Sequence, residues 1–203
     1  MNRVELKQMA KQQIKGKIGT LFVITLVMTL LSGIGSALLS LIPVVGSIAA
    51  SVFISAPLAL GMVMVYLKVS AGMDISVSDL FDGYGDFWNA FATQFMVGLF
   101  TFLWSLLFVV PGIIKSFSYS MSMYILAENK GMGPMEAIRI SKEMMNGHKM
   151  DYFVLMLSFI GWGLLVGITF GIEGIWVFPY MQTTMTNFYC TVKSSYQASS
   201  YAE

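Results

Sequence analysis

The residues best suited to chemistry are three aspartates and a single histidine. Asp79, Asp82 and Asp86 are spaced by three and four residues, so a helix would place their carboxylates on one face, where a divalent cation could bridge them. Ser78 followed by acids is also an ordinary helix N-terminus, and we favour that interpretation. His148 is the only histidine and no G-x-S-x-G motif is present, which excludes a multi-histidine metal site and disfavours a serine hydrolase. We therefore expect no catalytic residue and no metal or other cofactor.

The composition of the chain is that of a membrane protein. Of its 203 residues, 56% are hydrophobic and 11% are charged, whereas a soluble domain carries about 25% charged residues. Six transmembrane helices of about 20 residues would use about 120 positions, which leaves little for a second, soluble domain. The net charge of +1 provides no basic field to recruit nucleic acid, and the single cysteine cannot form an intramolecular disulfide.

Six apolar runs are the elements that must position any functional side chain. They predict an all-α polytopic bundle of six transmembrane helices, arranged as three hairpins with cytoplasmic amphipathic helices, in one membrane domain over residues 1–192. The predicted hairpins are 20–69, 91–127 and 153–192, and the polar segments are 1–19, 70–90, 128–152 and the tail 193–203. The predicted spans are 20–42, 47–69, 91–110, 112–127, 153–171 and 175–192.

Charge placement orients these spans. With all six crossing, 11 of the 12 Lys and Arg residues share one side, and Lys115 is alone on the other. The positive-inside rule then places both termini in the cytoplasm. The outer face is limited to short turns near 43–46, 110–112 and 171–174. The run 112–127 is short and carries Lys115 with four serines, so hydropathy also permits a re-entrant or interfacial helix there.

A threefold pattern of glycines supports the hairpin arrangement. Gly16, Gly83 and Gly147 each follow a polar or amphipathic stretch and precede aromatic residues that open a span. We predict that all three adopt the left-handed conformation of a helix C-cap and turn the chain toward the membrane. The small residues on two faces of the fourth span predict that it lies at the centre of the bundle.

Two intramembrane charges and two serines are candidate polar or gate residues. Lys115 and Glu173 are the only charges assigned to the outer half, so they either reach the interface separately, pair with each other, or form an ion or ligand gate. Ser116 and Ser120 lie on one face of the fourth span and would line a route if the protein is a transporter.

Three glycines at intervals of four are candidate helix-packing residues. Gly163, Gly167 and Gly171 form one stripe along the fifth span, which lets another helix backbone approach closely. We favour packing within the chain. Packing between two copies is the alternative, and the oligomeric state is left open.

Four cations at intervals of four are candidate contacts with lipid headgroups. Arg3, Lys7, Lys11 and Lys15 lie on one stripe of the predicted N-terminal helix. Near a bilayer surface each would contribute about 1 kcal/mol of attraction to anionic lipids. The alternative is an orientation signal with a solvated face. The bilayer itself is the first partner that the sequence predicts.

Several short blocks together resemble a known family. They are Pro111–Lys115 with Tyr119–Met121, Glu136–Ile138 through Ser141–Lys142 to Met145–Lys149, Leu157–Trp162 and Trp176–Tyr180. They resemble the bacterial integral membrane family called domain of unknown function 975, over about residues 1–192. The resemblance implies a multi-spanning protein of the bacterial cytoplasmic membrane without an assigned activity. A more distant similarity is to the membrane domain of some glycerophosphodiester phosphodiesterases, whose hydrolase domain is absent here.

The absence of an active-site motif and the bare outer face favour a function without catalysis. We predict a membrane scaffold or regulatory component that presents its cytoplasmic helices, above all residues 134–146, to a membrane protein partner. The alternative is a small transporter or lipid-binding permease. An intramembrane enzyme is a third hypothesis that the sequence does not favour.

Overall fold

The computed structural model describes residues 2–39, 50–169, 171 and 173–200, and in these ranges all regular secondary structure is helical. The all-α prediction is therefore confirmed. A π-helical turn, Ser51–Ser55, leads into α3, and a 3₁₀ helix, Val77–Asp86, precedes α4. The α-helices are α1 (Arg3–Ile14), α2 (Ile18–Leu39), α3 (Ala56–Ser70), α4 (Phe87–Leu107), α5 (Val109–Tyr119), α6 (Ser122–Glu128), α7 (Pro134–Met144), α8 (Lys149–Leu157), α9 (Ile160–Ile168) and α10 (Gly174–Ser200).

Two of the three predicted glycine caps are present. Gly16 follows α1 and Gly147 follows α7, and both have a φ of +83°, which glycine adopts without steric cost. The prediction for Gly83 is wrong, because Gly83 lies inside the 3₁₀ helix and packs against α3. A Cβ there would lie 2.1 Å from the Pro57 carbonyl oxygen and 2.6 Å from the Gly61 nitrogen. Glycine is needed at this position because two backbones touch.

Four helical segments are long and apolar enough to cross a membrane: Ile18–Ala37, Val52–Ser70, Val77–Leu107 and Lys149–Ile168. They correspond to the predicted first, second, third and fifth spans. Such segments indicate a membrane protein. Within the described ranges, the predicted fourth and sixth spans are not both long enough and apolar enough to be counted with these four segments.

The predicted fourth span is a broken helix. Its parts, α5 and α6, have 11 and 7 residues, or about 16 and 10 Å of length, whereas the hydrocarbon layer is about 30 Å thick. The predicted turn at 110–112 is also wrong, because these residues belong to α5 and the chain turns earlier, at the extended residue Phe108. Helices α4 and α5 then pack closely: a Cβ on Gly112 would lie 2.0 Å from the Ser105 hydroxyl oxygen.

The predicted sixth span is α10, which is the central helix of the bundle. Its residues 183–189 are all buried, so neighbours cover the helix on every side. Four of these buried residues are polar: Thr183, Thr184, Thr186 and Asn187. Their side chains lower the mean hydropathy of α10, although its 27 residues would suffice to cross a bilayer. The prediction that the fourth span is central holds for α6, most of whose residues are buried, and does not hold for α5, most of whose residues are not.

Apolar side chains cover the outside of the bundle. Helices α2, α4 and α9 expose large hydrophobic residues, and none of the residues of α9 is buried. An apolar surface of this extent fits lipid rather than water. The predicted turn at 43–46 lies outside the described residues. Examples of the exposed residues are Leu30, Ile34, Phe95, Phe102, Leu106, Leu164 and Ile168.

Candidate functional site

Helix α7 is fixed to the bundle through a buried serine. The Ser141 hydroxyl donates to the Ser118 carbonyl oxygen at 2.9 Å and accepts from the Met121 backbone N–H at 3.2 Å. Both backbone groups lie where the α5–α6 helix is interrupted, so Ser141 supplies hydrogen bonds that the break takes away. Ala137, Ile138, Ser141 and Met144 form the buried face of α7. The amphipathic pattern of residues 134–146 thus packs one face against protein.

The opposite side of α7 is exposed and carries both signs of charge. This outer face of α7 consists of Met135, Glu136, Arg139, Lys142 and Glu143. Arg139 donates to the Glu143 carboxylate at 3.0 Å, an i,i+4 ion pair. The Tyr196 hydroxyl of α10 also donates to the Glu143 carboxylate, at 2.9 Å. The outer face is therefore held in one position from both sides.

The contact between Tyr196 and Glu143 shifts the titration of both groups. The hydrogen bond from Tyr196 is the largest effect and lowers the pKa of Glu143; burial opposes it, and the Arg139 guanidinium and the charge of Lys142 lower the pKa further. In turn, the Glu143 carboxylate raises the pKa of Tyr196, with burial acting in the same direction. The contact is thus strongest when Glu143 is ionised and Tyr196 is neutral.

A second charged region joins the end of α3 to the 3₁₀ helix. The Lys68 ammonium lies 2.8 Å from the Asp79 carboxylate and 3.5 Å from that of Asp82. Asp79 also accepts from the Ser76 backbone N–H at 2.8 Å, in a capping box that starts the 3₁₀ helix. Asp86 faces elsewhere and accepts from Asn89 and from a backbone N–H. Asp79 therefore serves as a helix start, with Ser76 rather than Ser78 as the N-cap, and Lys68 lies beside Asp79 and Asp82 where a divalent cation was considered.

A third set of charges joins α6 to α10. The Glu128 carboxylate accepts from the Tyr189 hydroxyl at 2.6 Å and pairs with the Lys193 ammonium at 2.5 Å. Together with the Lys68 pair, this contact borders a cavity of about 440 Å³ that Lys130 and Cys190 also line. We call the residues Lys68, Asp79, Asp82, Glu128, Tyr189 and Lys193 the paired end. In the part of the chain that the structure describes, no group of three or more His, Cys, Asp or Glu residues is placed to hold a metal ion.

Comparison with protein families identifies the chain. A family model described as "Protein of unknown function (DUF975)" matches residues 1–116 and 107–196. The chain belongs to the DUF975 family. No curated protein and no solved structure matches it. The more distant similarity to the membrane domain of glycerophosphodiester phosphodiesterases stays a prediction.

The predicted polar residues of this DUF975 protein do not meet in one site. Lys115 and Glu173 form no ion pair; the Lys115 ammonium lies 4.5 Å from the centre of the Trp104 ring. The charges of Lys142 and Lys149 act on Lys115, although the six-span prediction places these lysines on the other side of the membrane. The hydroxyls of Ser116 and Ser120 donate to carbonyl oxygens of their own helical segment, those of Ile113 and Phe117.

The predicted glycine stripe does not pack within the described chain. A Cβ on Gly163, Gly167 or Gly171 would meet no other atom within 4 Å. Gly171 has a φ of +90° and shapes the turn after α9. Packing against a second copy, the alternative from the sequence, stays a prediction. Among the glycines that do permit close contact are Gly61, Gly83 and Gly112.

The N-terminal cations divide into two groups. Helix α1 buries Leu6, Ala10 and Ile14 in the bundle, and Gln13 accepts from Asn187 of α10 at 2.8 Å. Lys7 is drawn into this interface: its ammonium donates to the Ser158 carbonyl oxygen at 3.2 Å and lies 4.3 Å from the centre of the Phe159 ring. Burial lowers the pKa of Lys7, and the charges of Arg3 and Lys11 lower it further. Arg3, Lys11 and Lys15 are exposed, so headgroup contact stays a prediction for them.

Sequence reasoning missed Ser141, Glu143 and Tyr196 as a group. A usable signal exists for Ser141, because it lies on the same helical face as the apolar residues Ile138 and Met144. A serine on the buried face of an amphipathic helix must find a hydrogen-bond partner. No comparable signal links Tyr196 to Glu143, since 53 residues separate them.

Proposed function

We propose that this DUF975 protein is a non-enzymatic integral membrane component that presents the outer face of α7 to a protein partner. The observation that carries the proposal is the rigid attachment of this helix. Its Ser141 bonds to the broken α5–α6 segment, and its Glu143 bonds to α10. A surface held at two points costs little conformational entropy when a partner binds.

The proposed setting is the cytoplasmic membrane of a bacterium, with both termini and α7 in the cytoplasm. Four candidate spans and the apolar outer surface support a membrane location. We further propose that α10 crosses as a fifth helix, shielded from lipid by its neighbours, and that α5 and α6 together return the chain across the membrane as a sixth, broken crossing. Burial of the interrupted backbone is the condition under which such a break is tolerated in a membrane.

Site-specific photo-crosslinking in intact membranes tests the proposal. A photoreactive residue replaces Arg139 on the outer face of α7, and in a matched strain it replaces Gln8, which is exposed on α1. We expect one discrete protein adduct from position 139 that position 8 does not give. The substitution Met135→Glu should remove this adduct while the protein still inserts and purifies normally.

Two results would contradict the proposal. One is an identical set of adducts from positions 139 and 8, which would indicate random collisions in the membrane. The other is the absence of any protein adduct when the photoreactive residue is placed in turn at 135, 136 and 139. Either result would move the assignment toward the alternative, a small transporter or lipid-binding permease.

The permease alternative has less support from the side chains that suggested it. The hydroxyls of Ser116 and Ser120 are used by their own helical segment. In the central helix, Thr184 and Thr186 likewise donate to backbone carbonyls of α10, and Asn187 bonds to Gln13. These polar groups stabilise helices and their packing, and the Thr183 hydroxyl, which is buried without a hydrogen-bond partner among the described residues, is a single group rather than a row of ligands along a route.

A further inference from the structure

An apolar groove of about 550 Å³ lies between α5 and α8. Val110, Ile113 and Ile114 form the α5 side, and Met150 and Phe153 belong to the α8 side. Val110 is 66% exposed and Met150 is 69% exposed. Because neighbouring helices leave this groove uncovered, an apolar chain from outside the protein can lie in it.

Contacts between aromatic rings form one wall of the groove. The ring of Phe117 lies with its centre 5.6 Å from that of Tyr152 and 5.9 Å from that of Phe153, so α5 and α8 are joined by ring contacts. Aromatic contacts of this kind add stability beyond the burial of their area. The groove therefore exists before any ligand enters it.

Three lysines lie near the groove without an ion-pair partner in the described chain, although Lys142 is within electrostatic range of Glu143. Lys149 lines the groove, and Lys115 lies within electrostatic range of both Lys142 and Lys149. Within the described ranges, no carboxylate lies within ion-pair distance of any of the three. The nearest acids in sequence are occupied: Glu143 bonds to Arg139 and Tyr196, and Asp151 lies 3.7 Å from His148.

We propose that this groove binds one anionic phospholipid, with its phosphate among Lys115, Lys142 and Lys149 and an acyl chain against Ile113, Ile114 and Phe153. Three like charges held near each other repel, and an anion relieves that repulsion. The groove also lies at a suitable depth, because Lys149 is the first residue of a candidate span and therefore belongs near the headgroup layer. This site shares Lys142 with the outer face of α7, but the test of the α7 partner uses positions 135, 136 and 139, which the groove variants leave unchanged.

Native mass spectrometry of the full chain tests the site. The protein is purified in a neutral detergent and titrated with phosphatidylglycerol, with phosphatidylcholine of the same chains, and with soluble glycerol phosphate. We expect one phosphatidylglycerol to bind tightly, and phosphatidylcholine and glycerol phosphate to bind weakly. A lysine near an anionic headgroup contributes about fivefold to affinity, so Lys115→Gln/Lys142→Gln/Lys149→Gln should weaken binding about 100-fold.

The matched control removes the same amount of charge elsewhere. Arg3→Gln/Lys11→Gln/Lys15→Gln changes three exposed cations of α1 and should leave phosphatidylglycerol binding unchanged. Equal losses in the two triple variants would overturn the proposal, since they would show a general effect of charge. If the groove triple variant does not fold, the single Lys149→Gln variant should still lose about fivefold, and an unchanged affinity there would count against the site.

A photoreactive lipid locates the acyl chain. Phosphatidylglycerol with a diazirine in its acyl chain should label peptides that contain Ile113–Phe117 or Met150–Phe153, and the groove triple variant should lose this labelling. Labelling by the phosphatidylcholine analogue to the same extent would overturn the proposal. So would labelling confined to α2, α4 and α9, the helices with the widest exposed apolar surface.

Discussion

Two groups of lysines in this DUF975 protein have opposite surroundings. At the paired end, Lys68 lies 2.8 Å from Asp79, and Lys193 lies 2.5 Å from Glu128. Beside the α5–α8 groove, Lys115, Lys142 and Lys149 have no carboxylate at ion-pair distance within the described ranges. All five side chains carry the same charge, so the difference lies in what the fold places next to them.

We interpret this difference as one between charges that stabilise the fold and charges that bind a ligand. The paired lysines connect segments that are distant in the chain, α3 with the 3₁₀ helix and α6 with α10. Their loss should therefore affect stability. The lysines at the groove form no ion pair within the described chain, and the one contact of these three side chains there is that of Lys115 with the Trp104 ring of α4, so their loss should affect binding and leave stability nearly unchanged.

The largest expected effect follows from the substitution Gly83→Ala. The new Cβ would collide with backbone atoms of Pro57 and Gly61, which cannot move aside as a side chain can. We expect a loss of about 3 kcal/mol in the free energy of unfolding, since overpacking against backbone is at the upper end of its usual cost. The 3₁₀ helix would shift and take Asp79 and Asp82 away from Lys68.

Thermal unfolding in detergent, followed by size-exclusion chromatography, measures this effect. Gly85→Ala is the matched control, because Gly85 is in the same 3₁₀ helix and its Cβ would meet nothing within 4 Å. A Gly83→Ala variant as stable as Gly85→Ala would show that the 3₁₀ helix does not depend on close backbone contact with α3.

The next largest effect is expected for Ser141→Ala. The substitution leaves the Ser118 carbonyl and the Met121 N–H of the helix break without their side-chain partner. Buried polar groups that lose a partner cost about 2 kcal/mol. Because α7 would loosen and carry Lys142 away from the groove, phosphatidylglycerol binding should weaken as well.

The control for this variant is Ser116→Ala. Its hydroxyl bonds only to a carbonyl of its own helical segment, so the change should stay within about 0.5 kcal/mol of the wild-type stability. Equal stability of the two variants would show that Ser141 does not hold α7 in place.

The helical character of the chain and four of its spans followed from hydropathy. The fifth predicted span was found although it contains a turn at Ser158 and Phe159, since its overall run is apolar. Hydropathy did not identify α10 as the central helix, because burial inside protein permits Thr183, Thr186 and Asn187 where lipid would not. It also gave no sign that the chain turns at Phe108, since that residue is as apolar as its neighbours.

The candidate sites were harder to predict because they depend on contacts between distant segments. Positive-inside counting placed Lys115 opposite the other lysines, whereas folding brings it into range of Lys142 and Lys149. The stripe of Gly163 and Gly167 suggested close packing, yet close contact occurs at single glycines such as Gly61. Spacing along one helix reports which residues share a face, and it does not report what covers that face.

A smaller effect directly compares the two groups of lysines. Lys68→Gln should lower the free energy of unfolding by about 1 kcal/mol, a modest value because the pair is partly exposed to solvent. Lys142→Gln should change stability little, since its ammonium forms no ion pair within the described ranges and is attracted by Glu143 while it is repelled by Lys115. Thermal unfolding of both variants in neutral detergent, without anionic lipid, measures the difference. A destabilisation by Lys142→Gln equal to that by Lys68→Gln would remove the distinction between the groups.

The smallest expected effect is a pH dependence of the contact between Tyr196 and Glu143. The pKa of Glu143 is lowered from 4.5, first by the hydrogen bond from Tyr196 and also by Arg139. The stabilisation is therefore complete above pH 4.5 and is lost as the pH falls through the lowered value. The pKa of Tyr196 is raised from 10.0 by the Glu143 carboxylate and by burial, so its contribution is complete below pH 10 and is lost as the pH rises through the raised value.

The difference in melting temperature between the wild type and Tyr196→Phe should therefore be constant between about pH 5 and 9 and should shrink at both extremes. Glu143→Gln should flatten the acid limb, because it removes the carboxylate whose protonation ends the charge-assisted contact. The effect is small because Glu143 is exposed and Tyr196 is only partly buried, so solvent screens their interaction. A difference that does not vary from pH 3 to pH 11 would show that α10 does not hold the outer face of α7 through this hydrogen bond, and that the buried face of α7 with Ser141 anchors the helix.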